Sequence, residues 1–164
     1  MSLAEFNTAP DDVAGEMLTA CCDVPSWVDA VREGRPYVDV AEALELADKS
    51  ARSFAPDDVD RALAAHPRIG ERAAGSTTEA AWSRQEQSGV SRDTATQDAL
   101  VEGNRAYEEK FNRVFLICAS GLSGEQILTA LEARLDNDPA TESAVVADEL
   151  RKIAVLRLER LLDS

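Results

Sequence analysis

Only one stretch of this chain, Val114-Phe115-Leu116-Ile117-Cys118-Ala119, reads as a strand. A lone strand has no neighbour to satisfy its backbone donors and acceptors, so it cannot found a sheet. The rest of the chain is punctuated by helix start and stop signals. Thr8-Ala9-Pro10-Asp11 suggests a cap with proline in the first turn, leading to Val13, Met17, Leu18 and Cys21 on one face. Pro25-Ser26-Trp27-Val28 opens a second helix, stopped by Gly34 and Pro36, and Asp39 caps a third through Leu44 and Ala47 towards Phe54. Pro56 starts a fourth, which must end near His66 because Pro67 disfavours the helical conformation just before it. Ser76-Thr77-Thr78-Glu79 is a capping box for a fifth, running through Trp82 to about Ser88 and ended by Gly89. A long sixth follows from about Asp93 to Asn112, with Leu100, Asn104, Tyr107 and Phe111 near one stripe. Ser123-Gly124-Glu125-Gln126 caps a seventh, through Ile127, Leu131 and Leu135. Pro139 opens the last, with Val145, Ile153, Leu156 and Leu161 facing inward. The expectation is an all-α chain, a single compact domain of about eight helices spanning residues 1–164.

Charge narrows the partners. A net charge of -14 argues against nucleic acid and against anionic membrane surfaces, both of which need a basic face. Its simplest meaning is solvated outer helix faces, so an anionic substrate would rely on individual arginines. The three cysteines, Cys21, Cys22 and Cys118, are odd in number, two are adjacent, and none forms a Cys-x-x-Cys pair. That pattern suits core thiols of a reducing compartment better than a disulfide framework or a zinc knuckle. No segment reaches transmembrane length, no basic-then-apolar leader opens the chain, and the final Leu161-Leu162-Asp163-Ser164 is not a peroxisomal address. The expectation is a cytoplasmic protein.

The chemistry-bearing residues form two clusters. His66 is the only histidine, and imidazole is the side chain that gives or takes a proton near neutral pH. Its position at a predicted helix end fits either a cap on the last carbonyls or a general acid favoured by the helix dipole. Ser83, Glu86 and Gln87 lie at i, i+3 and i+4, which puts them on one helix face, either a solvated surface or one wall of a site. Arg157 falls four residues after Ile153, near the apolar face, where it can snorkel outward or turn in and hold a carboxylate. One histidine with scattered carboxylates lacks metal-ligand spacing, no Gly-x-Ser-x-Gly elbow is present, and Gly70, Gly75 and Gly121 make no nucleotide-binding fingerprint.

Together these pieces resemble the 2-oxo-4-hydroxy-4-carboxy-5-ureidoimidazoline (OHCU) decarboxylase family of urate catabolism. The resemblance runs over nearly the whole chain. It covers Phe6-Asn7, Pro25-Ser26-Trp27-Val28, Arg35-Pro36-Tyr37, His66-Pro67-Arg68-Ile69-Gly70, Ser83-Arg84-Gln85-Glu86-Gln87, Asn104-Arg105-Ala106-Tyr107, Lys110 to Ile117 and Lys152 to Leu158. Two departures are visible. Phe111-Asn112-Arg113-Val114-Phe115 stands where many members read Phe-Gly-Phe-Pro-Phe, and Arg68-Ile69 stands where Asp-Leu is common.

The resemblance implies an all-helical enzyme needing neither metal nor organic cofactor, commonly a homodimer. His66 matches the catalytic histidine and Glu86 its acidic partner. Ser83, Gln87 and Arg157 match substrate-holding side chains, while Pro67 and the backbone at Ile117, Cys118 and Ala119 match the pocket wall. The implied reaction is decarboxylation of OHCU to (S)-allantoin, with urate oxidase and hydroxyisourate hydrolase as pathway neighbours. Two other readings compete. A non-enzymatic acidic helical interaction module would leave the polar clusters on solvated surface, and a related ring-opening hydrolase would require a positioned water or metal.

Overall fold

Caps and prolines set the helix boundaries. The computed structural model describes residues 1–66, 68–69, 78–88 and 94–163, without the side chains of Thr78 and Glu79. Among the described residues the helices are α1 (Leu3–Thr8), α2 (Asp11–Cys21), α3 (Pro25–Glu33), α4 (Val40–Ala51), α5 (Pro56–Leu63), α6 (Thr78–Glu86), α7 (Thr94–Phe111), α8 (Gly124–Leu135) and α9 (Pro139–Leu162). The all-α expectation is borne out. The additional element is α1, six residues held by a capping box in which Glu5 N donates to Ser2 Oγ and Ser2 N to Glu5 Oε2. Asp39 and Ser123 cap α4 and α8 as their sequences require, accepting from Glu42 N at 2.8 Å and Gln126 N at 3.2 Å. The capping box at 76–79 and the stop at Gly89 lie outside the described residues. Residues 114–119 lie in no helix or strand among the described residues.

The chain divides into two compact units, Met1–Ala65 with Leu150–Ser164, and His66–Glu149. In the first unit the fully buried Trp27 of α3 donates its indole N–H to the Ala47 carbonyl of α4 at 3.0 Å. Arg35 clips the end of α1, donating to the Phe6 and Ala9 carbonyls at 2.7 and 2.8 Å and to Asp11 Oδ1 at 2.6 Å. Asn7 and Tyr37 exchange two hydrogen bonds, Asn7 Nδ2 to Tyr37 O and Tyr37 N to Asn7 Oδ1, both at 2.9 Å. Burial raises the Tyr37 hydroxyl to about 12, so it stays a donor, here to the Val31 carbonyl.

Two inward faces differ from the sequence expectation. The buried stripe of α2 is Ala14, Leu18 and Cys21, and Val13 is exposed. On α9 the buried residues include Val146, Leu150, Ile153, Ala154, Arg157, Leu158 and Leu161, whereas Val145 and Leu156 are only half-buried. Single apolar residues on a long helix define a stripe only to within about one position, because neighbours differ by about 100° of rotation. The corrected stripe puts Arg157 on the buried face.

The second unit is built on a cluster of Ile69, Leu100, Tyr107, Phe115, Ile117, Ala119, Ile127 and Leu131. α7 and α8 approach closely at Gly103, where an added Cβ would lie 2.5 Å from Leu131 Cδ2. Beside the cluster sits a buried ionic network. Arg134 donates from Nε and Nη2 to Glu142 Oε1 at 2.8 and 2.5 Å, and from Nη1 to the Leu116 carbonyl at 2.6 Å. Tyr107 donates its hydroxyl to the same Glu142 oxygen at 2.6 Å, and Asn137 Nδ2 donates to Oε2 at 3.0 Å. Burial alone would raise the Glu142 carboxyl, but the hydrogen bonds from Arg134, Tyr107 and Asn137 outweigh it and hold the group below its ordinary value of 4.5. A carboxyl depressed by folding stabilises the native state above its ordinary value and loses that contribution as pH falls through the depressed one. Acid should therefore destabilise the wild-type protein more steeply below about pH 4.5 than it does Glu142→Gln. At pH 7 the same variant strands the Arg134 charge and should lose about 3–5 kcal/mol in urea titration.

Candidate active site

Polar side chains on the buried face of a helix are the first sign of a site. α6 buries Ala80, Ser83 and Glu86, residues at i, i+3 and i+6 that are 7%, 3% and 7% exposed. An ordinary solvated face would leave the serine and glutamate in water. Burying a hydroxyl and a carboxyl in place of two apolar groups costs stability, which makes this face a candidate for function. Gln87, one residue past the helix, is half-buried, and its N–H continues the turn by donating to the Ser83 carbonyl at 3.2 Å.

α5 stops at Leu63, the Ala65 N–H closes a last turn on the Ala62 carbonyl at 3.2 Å, and His66 follows in non-helical backbone, half-buried. The expectation that the helix ends ahead of the His-Pro pair is met. Pro67 lies outside the described residues. Two residues of α7, one turn apart, anchor the chain just after it. Asn104 donates from Nδ2 to the Ile69 carbonyl at 3.0 Å, and Arg68 pairs with Glu108 through Nε at 2.5 Å. The Asn104 side chain is buried, and its Oδ1 has no hydrogen-bond partner among the described residues. Ile69 also packs in the cluster that holds Ile117 and Ala119. The segment bearing His66 and the expected pocket wall thus share one apolar core.

Of the expected residues, His66, Ser83, Glu86, Gln87, Ile117, Cys118 and Ala119 belong to the second unit and Arg157 to the first. Ile117 and Ala119 are buried, and Cys118 between them is half-buried. Arg157 does not snorkel: it is 1% exposed, with Nη1 3.4 Å from the Ala20 carbonyl oxygen. Sequence reasoning missed the anchoring roles of Asn104, Arg68 and Glu108, and the Arg134–Glu142 pair. The available signal was position, since Asn104 interrupts the apolar stripe of α7 and Arg134 follows Ile127 and Leu131 at helical spacing on α8. Among the described residues, no group of three or more His, Cys, Asp or Glu is placed to hold a metal ion, and no helix is long and apolar enough to cross a membrane.

The departures from the family pattern have local explanations. Asn112 terminates α7 with φ +54°, its N–H donating to the Glu108 carbonyl at 2.9 Å. That left-handed conformation explains a glycine there, and asparagine is the side chain that best tolerates it after glycine. Arg68, where aspartate is common, gains Glu108 as a partner.

A family model described as OHCU decarboxylase matches residues 7–159. The chain belongs to the OHCU decarboxylase family. Among curated relatives, the uric acid degradation bifunctional protein TTL of Arabidopsis thaliana is 37% identical over 146 residues, covering 86% of this chain and 45% of that protein. This chain therefore spans less than half of the bifunctional plant protein. The 2-oxo-4-hydroxy-4-carboxy-5-ureidoimidazoline decarboxylase of Amia calva is 29% identical over 151 residues, covering 90% of this chain and 85% of its own length. A crystal structure of an OHCU decarboxylase in the presence of (S)-allantoin aligns with a TM-score of 0.75 at 27% identity, covering 95% of this chain and 100% of that one. A crystal structure of (S)-allantoin synthase shares the fold, with a TM-score of 0.73 at 16% identity, covering all of this chain and 55% of that one.

The two anchors on α7 should differ in strength. Removing a buried amide from a buried carbonyl costs about 1–3 kcal/mol, whereas an ion pair as exposed as Arg68–Glu108 is worth at most about 1 kcal/mol. Asn104→Leu should accordingly outweigh the coupling energy of an Arg68/Glu108 double-mutant cycle, both measured by urea unfolding. At Asn112, glycine should be tolerated and valine should cost about 1–2 kcal/mol, because a β-branched residue resists the left-handed region.

Proposed function

We propose that this chain catalyses decarboxylation of OHCU to (S)-allantoin, with His66 and Glu86 managing protons. The observation that carries the reading is the burial of Ser83 and Glu86 together on the inner face of α6 in a member of this family. An interaction module with solvated polar clusters has no use for that arrangement.

The chemistry suits the residues. The reacting carbon bears a hydroxyl and a carboxylate beside a ring carbon–nitrogen double bond. When the carbon–carboxylate bond breaks, its electron pair forms a carbon–carbon double bond within the ring. The former C=N pair moves to nitrogen, which takes a proton, and carbon dioxide departs. The resulting enol loses its hydroxyl proton while the neighbouring carbon gains one. The substrate thus holds its own electron sink. What the protein must supply is orientation and proton delivery from one side, which makes the product (S)-allantoin rather than a racemate. His66 coupled to Glu86 handles these protons, Ser83 and Gln87 bind ring amide and ureido groups, and Arg157 holds an anionic or carbonyl oxygen. Pro67, Ile117, Cys118 and Ala119 wall the site.

In this reading the enzyme works without metal or organic cofactor, as a homodimer of the kind common in the family. It acts in the cytoplasm after urate oxidase and hydroxyisourate hydrolase. Free thiols at Cys21, Cys22 and Cys118 suit a reducing compartment.

The test generates OHCU in situ with those two enzymes and follows the optical activity of the allantoin formed. Rapid appearance of one enantiomer is expected, and racemate at the uncatalysed rate would overturn the function. His66→Asn should abolish the catalysed phase with the fold intact, and Glu86→Gln should lose about 10²-fold or more of the rate.

A further inference from the structure

We infer that Arg134 is a positioning residue, which grips the Leu116 carbonyl and so fixes the backbone of residues 117–119 where the substrate is held. The inference rests on the proposed decarboxylase reading, in which Ile117, Cys118 and Ala119 wall the site.

Residues 114–119 lie in no helix or strand among the described residues, so the repeated bonds of regular structure do not set their path. Arg134 takes hold of this segment from the neighbouring helix α8, with Nη1 2.6 Å from the Leu116 carbonyl oxygen. The same guanidinium stacks over the Phe115 ring at 4.5 Å and lies 5.8 Å from the Tyr107 ring. One planar group thus contacts two consecutive residues of the segment, one by its backbone and one by its side chain.

Stability does not account for a charged pair in this place. A buried arginine–carboxylate pair is commonly no more stabilising than apolar residues of similar volume. What apolar residues cannot do is donate to a carbonyl. The fork meets both demands at once, since Nε and Nη2 engage Glu142 and leave Nη1 for Leu116. Glu142, itself oriented by Tyr107 and Asn137, fixes the plane of the guanidinium. The consequence falls on the next three residues, of which Ile117 and Ala119 are locked in the core and Cys118 is half-buried. Freed from Arg134, the backbone entering this stretch loses its fixed position, and a small displacement at a binding surface weakens the hold on substrate.

The test separates positioning from stability. In Arg134→Met/Glu142→Leu/Tyr107→Phe the three buried polar side chains are replaced by apolar ones, so no buried charge is stranded and the fold is kept. Partial unfolding lowers apparent kcat by reducing active enzyme but leaves KM unchanged. Loss of the Leu116 contact should instead raise KM about ten-fold or more, with kcat within a few-fold of wild type. Arg134→Lys gives the second arm, because its single ammonium cannot serve Glu142 and Leu116 with the same geometry. It should raise KM in the same direction while the thermal midpoint stays near wild type. A folded variant of either kind with wild-type KM overturns the inference. Should neither fold, amide exchange on the wild-type protein decides: (S)-allantoin must slow exchange at residues 117–119, and no protection overturns it. An inactive wild-type protein would defeat the decarboxylase reading itself, whereas an active one with unaltered KM in the variants defeats only the role of Arg134.

Discussion

One oxygen of Glu142 accepts from the Arg134 guanidinium and from the Tyr107 hydroxyl, and through Arg134 the same charge reaches the backbone of Leu116. Three pieces of chain that the apolar core could press together but not register are thereby locked in one arrangement. Hydrophobic contact is non-directional and tolerates sliding, whereas a fork on a carboxylate has a single good geometry. α7 brings Tyr107, α8 brings Arg134, and the start of α9 brings Glu142. Phe115 and Leu116, in a stretch that is neither helix nor strand, are tied to that lock through Arg134. The low-dielectric setting makes every member of the set dependent on the others, since any one left alone would be a buried, unsatisfied group.

A second, weaker arrangement acts on the His66 segment. Asn104 and Glu108, one turn apart on α7, take hold of Ile69 and Arg68. α7 therefore serves both candidate walls of the second unit, through Tyr107 on one side and through Asn104 on the other. Its close packing on α8 at Gly103 keeps those attachments at fixed spacing, because only a glycine lets the Leu131 side chain come so near. Helix packing and site geometry are here the same fact seen at two scales.

How much of this was legible beforehand differs by the kind of signal. Helices announced themselves through local chemistry: Asp39, Ser123 and the prolines at 25, 56 and 139 each act on backbone within one turn, so sequence suffices to place them. The lone apolar run at 114–119 has no second run to pair with, and among the described residues it joins no sheet. The inward faces of α2 and α9 differ from their sequence pattern at Val13, Val145 and Leu156, because exposure there depends on neighbours distant in sequence. The short α1 is missed although its Ser2–Glu5 capping box is present in the sequence. For the site, the residues His66, Ser83, Glu86, Gln87 and Arg157 were picked out by type, spacing and family resemblance. The burial of Ser83, Glu86 and Arg157 was not foreseeable from spacing alone. Arg134 and Glu142 are hidden because seven intervening residues, with a turn and Pro139 among them, separate two charges that read as ordinary solvated surface.

The inner face of α6 has a thermodynamic consequence. Ser83 and Glu86 occupy buried places on α6 where apolar side chains would carry no desolvation cost. Selection for robustness alone favours apolar residues at both. On the proposed reading, their presence in the core is the stability that activity costs this fold. Redesigning the core at α6 for stability would then remove the very side chains that the proposed chemistry uses.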